Sequence, residues 1–332
     1  MRGSARFVWL LAAIAGCSSP VQRSTPANAH VLNVAELNTD QIQSLDRTHT
    51  VVLLDGGILE EHGPYLPSFS DGYQSDFLAT KVAGAIVARP GWAVLRFPPL
   101  PLGAMPANEI GSRFTFPGSY PVRMATLRAV FMDLATDLGD AGFRYILVLN
   151  YHGGPTHNGA LDAASRYFSE RYGAVMVNLT GLVSVAGAEP HDQFTKVERE
   201  AEGFSVHADA DEHSRMLFLK PGLVETAVHR APASVGHGPA DLVRLAQKPD
   251  WLGYFGTPAI ANVAAGRRKM AGLAAAAIDA ALKAIDGTLP AAAARVVDQD
   301  AADPVFKQII DASLEHDRRV EQNEMDWLAA SR

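Results

Sequence analysis

The sequence predicts an α/β protein in which helices cover a central sheet, in a doubly wound or three-layer arrangement. Three observations carry this expectation. Short apolar runs with strand character alternate with longer amphipathic segments from Thr50 to Leu179, and such alternation builds parallel sheets flanked by helices. One run, Tyr145 to Leu149 (YILVL), is almost continuously apolar, as expected of a strand buried on both faces. With 332 residues, 48% of them hydrophobic, the chain has ample material for a core, whether in one large domain or two.

The elements follow in order. Val31 to Leu45 is polar with scattered apolar positions and holds a short helix, opened by Thr39 or Asp40 as N-cap. Thr50 to Leu54 is a strand. Ser75 to Val87 places Phe77, Leu78, Val82, Ala85 and Ile86 at helical spacing, with Ser75 as N-cap. Gly91 ends that helix, and Trp92 to Phe97 is the next strand. Residues 98–120 are rich in proline and glycine and form a long loop; long loops in compact domains are often functional. Met124 to Leu138 is an amphipathic helix that ends near Gly139 and Gly142 and feeds the YILVL strand. Asn158 to Tyr172 is helical, and Ala174 to Leu179 is a strand.

Residues 185–206 are polar and irregular. A short helix through Met216 and Leu219 follows, and residues 229–262 lack clear periodicity. Ala264 to Ile285 is a long alanine-rich helix stopped by Gly287 and Pro290. The rest of the chain is charged, with an amphipathic stripe at Phe306, Ile309, Ile310 and Leu314. It reads as a docked or partly disordered extension. There is no internal repeat.

Candidate chemistry gathers where strands end. After Thr50–Leu54 come two glycines and then Glu60, Glu61 and His62, followed by Gly63, Pro64, Pro67 and Asp71. Glu60 and His62 are two residues apart, so in extended chain their side chains point the same way. A carboxylate and an imidazole converging, with a second carboxylate nearby, suit a divalent metal. The YILVL strand leads into Asn150-Tyr151-His152-Gly153-Gly154. Ligands of open α/β sheets bind beyond the carboxyl ends of strands, so His152 is expected beside the first group. A third segment, His207 to Glu212, is acidic and begins with a histidine.

Composition excludes some classes. The net charge is −7 and no basic cluster is present, which argues against nucleic acid. Residues 1–17 have the form of a targeting segment. Arg2 and Arg6 precede an apolar run, Phe7 to Ala15, too short to span a bilayer as a mature helix. Ile14-Ala15-Gly16-Cys17 resembles a bacterial lipobox, with cleavage before Cys17 and lipid on its sulfur. Cys17 is the one cysteine, so no intrachain disulfide or thiolate metal site exists. Ser18 after it points to the outer membrane. The expected product is a periplasmic protein that meets the membrane only through this lipid anchor. The expected organisation is a signal peptide (1–17), a tether (18–30), a catalytic domain (31–288) and a C-terminal extension (289–332).

These residues carry a family resemblance. Glu60-Glu61-His62-Gly63-Pro64-Tyr65-Leu66-Pro67 with Asp71 resembles the E-x-H-G-P-H-L-P…D pattern of the creatininase (creatinine amidohydrolase) family. Asn150 to Gly154 resembles its N-G-H-G-G, and Phe116-Pro117-Gly118-Ser119 its F-P-G-T. His207 to Ser214 resembles its H-A-G-x-x-E-T-S, and Gly256-Thr257-Pro258 its G-D-P. Together they span residues 31–287 in order. Departures are Tyr65 for a histidine, Tyr151 for a glycine, Pro155 for an asparagine, His213 for a threonine and Arg113 for a frequent histidine. Gly154 stands where the creatininase itself has a metal-binding glutamate. No tryptophan lies near His207 in sequence, where the creatininase has substrate-facing ones.

The resemblance implies a three-layer αβα sandwich with a mostly parallel sheet. It implies an amidohydrolase that cleaves a non-peptide or cyclic amide C–N bond with a metal-activated water. Two divalent ions per chain (Zn, Mn or Fe) would be held by Glu60, His62, Asp71, His152 and Glu212. Glu60 and His62 would serve different ions, with Asp71 bridging, His152 completing one set and Glu212 the other. His207 would be the catalytic proton-transfer group. Gly153 and Gly154 would contribute to an oxyanion site, with Tyr65 facing substrate. The expected partner is a small-molecule amide, and the expected assembly a homo-oligomer, a hexamer by resemblance. The alternative is a periplasmic lipoprotein that binds metal or ligand on the same scaffold without catalysis.

Overall fold

The computed structural model describes residues 31–183, 194–290 and 302–331. Five strands, β1 (Val31–Asn33), β2 (Thr50–Gly57), β3 (Ala93–Arg96), β4 (Tyr145–Tyr151) and β5 (Val175–Asn178), form one sheet in the order β1-β3-β2-β4-β5. Every pairing is parallel. β2 and β4 are the central pair, in register from Val51↔Tyr145 to Gly57↔Tyr151. All eight residues of β2 are buried.

The two-residue period of the strands sorts the core into two layers. Val51, Leu53, Leu147 and Leu149 face one side and pack with α2 (Ser70–Val87) and α9 (Val263–Ile285). Val52, Leu54, Ile146 and Val148 face the other and pack with α3 (Met124–Asp140) and α4 (Pro155–Tyr172). The result is the three-layer αβα sandwich with a parallel sheet. From β2 the chain runs to β3 on one side and then crosses to β4 on the other. The carboxyl ends of β2 and β4 therefore flank a topological switch point, where such sheets bind ligands.

The remaining helices are α1 (Thr39–Gln43), α5 (Leu179–Val183), α6 (Lys196–Glu202), α7 (Ala210–Leu219), α8 (Pro239–Ala246) and α10 (Pro304–Ala330). Several boundaries differ from the sequence expectation. α1 is opened by Asn38, in a capping box with Gln41, and not by Thr39 or Asp40. α2 begins at Ser70, so Ser75 is inside the helix and Asp71 lies in its first turn rather than on the loop. The reason is that Ser70, Asp71, Gln74 and Ser75 are polar yet buried. They face the strand ends, and the apolar period becomes visible only after them. Ser75 donates its hydroxyl to the Leu149 carbonyl on β4.

α6 and α8 arise from stretches without visible periodicity. α8 is eight residues long, starts on Pro239 and buries only Leu242 and Ala246, which is too few positions to show a period. The C-terminal stripe is a 27-residue helix, α10, capped by Asp303 and docked through Ile309 and Ser313. The long loop 98–120 contains a buried 3₁₀ turn, Ala107–Gly111. No helix among the described residues is long and apolar enough to cross a membrane.

Candidate metal centre

β2 ends at Gly57, and the next residues turn so that Glu60, Glu61 and His62 are all buried. The turn is held from outside. Glu60 N–H donates to the Ser68 carbonyl at 2.9 Å, and Glu61 N–H donates to Ser119 Oγ at 3.1 Å. Ser119 belongs to the Phe116–Ser119 turn, which is thereby a support for the first motif. Asp71 reaches the same space from the first turn of α2, and His152 from the end of β4.

Three imidazoles are fixed in the same manner. His62 donates Nδ1–H to the Glu60 carbonyl at 3.0 Å, leaving Nε2 to face Glu212 at 3.6 Å and Asp71 at 3.8 Å. His152 donates Nε2–H to the Met105 carbonyl at 2.9 Å, leaving Nδ1 at 3.1 Å from Glu60 and 3.3 Å from Asp71. His207 donates Nε2–H to the Glu61 carbonyl at 2.6 Å, leaving Nδ1 at 3.6 Å from Glu60. In each case a backbone carbonyl fixes the tautomer and aims the lone pair into the cluster, as outer partners of metal-binding histidines do.

The ligating atoms fall into groups whose members lie within 4.8 Å of one another: Glu60, Asp71 and His152; His62, Asp71 and Glu212; and Glu60, His62 and His207. Asp71 belongs to the first two, with Oδ2 towards His152 and Oδ1 towards His62. Glu60 Oε2, His62 Nε2 and Asp71 Oδ2 are buried without a hydrogen-bond partner. Buried polar atoms are rarely left so, and a set of only N and O donors suits Zn²⁺, Mn²⁺ or Fe²⁺. The residues therefore fit divalent metal.

The electrostatics point the same way. Burial pulls the His62 and His152 imidazoles down, but Glu212 and Asp71 raise the first, and Glu60 and Asp71 the second, well above the usual range. Burial likewise works against the His207 imidazolium, yet Glu60 and Glu61 raise it to about 9. Burial pushes Glu60 up, but His152 and His207 bring it down to about 2. Burial raises Glu61. The enclosed carboxylates thus demand positive charge, which the imidazoles supply when protonated.

A second layer, missed from sequence, orients the ligands. Gln74 donates to Glu212 Oε1 at 3.0 Å and accepts from Arg215 at 2.5 Å, and Arg215 also donates to Asp211 at 2.9 Å. Gln74 lies three residues after Asp71, and Arg215 three after Glu212. On a helix this spacing shares a face, and it was the signal available. Asn158 on α4 donates to the His152 and Gly154 carbonyls at 2.9 and 3.1 Å, pinning the turn after β4. His157 is buried, donates Nε2–H to the Asn150 carbonyl at 3.0 Å, and is pushed down to about 3 by burial and by His152.

A cavity of about 300 Å³ opens beside the cluster. Glu60, Asp71, His152, Gly153, Gly154, His207 and Glu212 all line it. A Cβ on Gly154 would stand 2.5 Å from His152 Nε2 and 2.7 Å from the Met105 carbonyl, so glycine is required for that hydrogen bond. Met105 (φ 60°), in the cavity wall, and Ala208 (φ 46°), between the wall residues His207 and Asp209, hold left-handed backbone, a strain typical of functional sites. The Tyr65 ring packs beside an apolar cluster of Leu66, Met216, Val224 and Val228, 6.0 Å from the Tyr254 ring and 6.2 Å from the His213 ring.

The comparisons bear on this geometry. The profile of the family described as "Creatininase: Creatinine amidohydrolase" matches residues 35–281. The chain belongs to the creatininase family. No curated protein matches it by sequence. Among solved structures it is similar to a putative creatinine amidohydrolase from Bacteroides fragilis, at 23% identity, covering 78% of this chain and 97% of that one, with TM-score 0.55. It is also similar to a manganese creatininase, at 21% identity, 78% and 99% coverage and TM-score 0.56. A Zn–Zn form of a creatininase variant matches at 21% identity, 78% and 98% coverage and TM-score 0.52. At these identities the likeness concerns the creatininase fold. The family match ends before α10.

Proposed function

We infer that the protein is a metal-dependent amidohydrolase acting on a non-peptide C–N bond. The observation that carries this reading is Asp71, shared between two three-residue groups in a creatininase-family chain. Glu60, His152 and Asp71 would hold one divalent ion, and His62, Glu212 and Asp71 the other. When bound, such a pair activates water and polarises the amide carbonyl.

The chain's own residues supply the rest. His207 lines the cavity, and its Nδ1 is the atom free to carry a proton, since Nε2–H is committed to the Glu61 carbonyl. We assign it proton transfer to the leaving nitrogen. Gly153 and Gly154 lie in the cavity wall just before α4 begins at Pro155. Backbone N–H groups at a helix start favour developing negative charge, which supports their oxyanion role.

Chelation tests the reading. Treatment with a strong chelator should remove hydrolysis of small amides, and Zn²⁺ or Mn²⁺ should restore it. A chelated protein that retains its full rate would sink the metal-dependent reading.

Membrane attachment is a separate part of the proposal. Residues 1–30 lie outside the described residues, and the support is the pattern Arg2, Arg6, Phe7–Ala15 and Ile14-Ala15-Gly16-Cys17. We propose cleavage before Cys17, lipid on its sulfur, and residence in the periplasm at the outer membrane. Cys17→Ala should abolish fatty-acid labelling in cells; persistent labelling would exclude Cys17 as the anchor. The homo-oligomer implied by the family resemblance completes the proposal and is read by light scattering, where a monomer at working concentration would exclude it.

A further inference from the structure

One wall of the cavity comes from beyond the residues matched by the family. Phe306 and Ile309 of α10 line it together with Met105, Ala107 and Ile110. Ile309 is buried in an apolar cluster with Trp251 and Phe255. α10 is held against the loop 98–120 and the start of α3 along successive turns. Ser313 is buried beside the Glu109 carboxyl, which burial pushes up to about 7 and Ser313 draws down. His316 stacks on Phe114 at 4.1 Å between ring centroids. Asp317 accepts from Met124 N–H at 2.9 Å, and Glu324 pairs with Arg123 at 2.7 Å. These contacts recur on one helical face, so α10 is a built wall of the site.

The cavity therefore has two chemically distinct sides. One is the cluster of carboxylates and imidazoles. The other is apolar. Arg215 also lines the cavity, with its Nη groups committed to Gln74, Tyr151 and Asp211 and its Nε buried without a partner. Pockets of this size bury most of a small ligand, with apolar walls contributing affinity and a few polar groups setting orientation.

We propose that α10 is the specificity wall of the enzyme and that the substrate is an amide bearing an aliphatic or aromatic group that packs on Phe306 and Ile309. The polar amide then faces the metal-binding cluster while the apolar group leaves water against α10. This rests on the amidohydrolase reading for its turnover arm and on metal binding alone for its binding arm.

The test uses the full chain reconstituted with Zn²⁺ or Mn²⁺ and two homologous series of probes. One is straight-chain primary amides from acetamide to hexanamide, read as kcat/KM. The other is the corresponding hydroxamic acids, read as Kd by calorimetry. In the native chain each added methylene should improve both quantities about fourfold until the wall is reached. Phe306→Ala should reduce that gain to less than about twofold, and Phe306→Trp should move the optimum to a shorter chain. Because Phe306→Trp retains bulk at the position, it still decides the matter if the alanine variant folds poorly. Chain-length dependence in hydroxamate binding without turnover of these amides would leave the apolar wall standing and remove linear primary amides as substrates. Turnover that is indifferent to chain length, or dependence unchanged in both variants, would overturn the wall.

Discussion

Replacing Asp71 by alanine should take metal content from the proposed two divalent ions per chain to none, and amide hydrolysis with it. Among the described residues, no other side chain stands in both the Glu60–His152 and the His62–Glu212 group. Its two oxygens face different imidazoles, at 3.3 and 3.8 Å. The loss should not be a loss of fold. Asp71 Oδ2 has no hydrogen-bond partner within the protein, and the carboxylate's helix-dipole contribution at the first turn of α2 is worth only about 0.3–1 kcal/mol. Elemental analysis of the native chain and the variant, with circular dichroism as the control, checks both halves. Binding a ligand at 100 times its Kd adds about 2.7 kcal/mol to stability. Added Zn²⁺ should therefore raise the melting temperature of the native protein and leave that of Asp71→Ala unmoved. A folded variant that keeps one ion would show that the two groups do not depend on a shared carboxylate.

His207→Ala has the second largest expected effect, and it separates two roles that the geometry permits. His207 falls in a group with Glu60 and His62, as a third ligand would. It also lines the cavity with Nδ1 free and Nε2–H held by the Glu61 carbonyl, as a proton-transfer group would. With the second role, metal content stays at the native value while kcat falls by about 10²–10⁴. Amides with better leaving groups should suffer less, because they need less protonation at nitrogen. Metal content that falls in proportion to activity would instead make His207 a ligand.

Much of the fold was legible because its cause is periodic. Val51 to Leu54 and Ile146 to Leu149 alternate between two buried layers, and parallel strands buried on both faces read as apolar runs. α3 and α9 showed themselves through apolar spacing for the same reason. Reading failed where burial was polar or brief. Ser70, Asp71, Gln74 and Ser75 are buried yet carry no apolar signal, so the first turn of α2 looked like loop. α8 hides two residues and gives no period.

For the site, the sequence by itself determined the candidate chemistry. Glu60, His62, Asp71 and His152 could be named because they follow strand ends, His207 and Glu212 because they bracket an acidic segment, and their roles came from the resemblance to the creatininase family. What only the tertiary structure decided was how those groups meet and what encloses them. The parallel pairing of β2 with β4 brings His152 to Glu60 and Asp71, a contact no local pattern encodes. Packing set Tyr65 against the apolar cluster of Leu66, Met216, Val224 and Val228. It also laid α10 against α4, α8 and the Ala107–Gly111 turn, so that Phe306 and Ile309 line the cavity. Ligand identity follows from side-chain chemistry, which the sequence states outright. Enclosure follows from which apolar surfaces find each other over long chain separations, and that depends on the shape of the whole core.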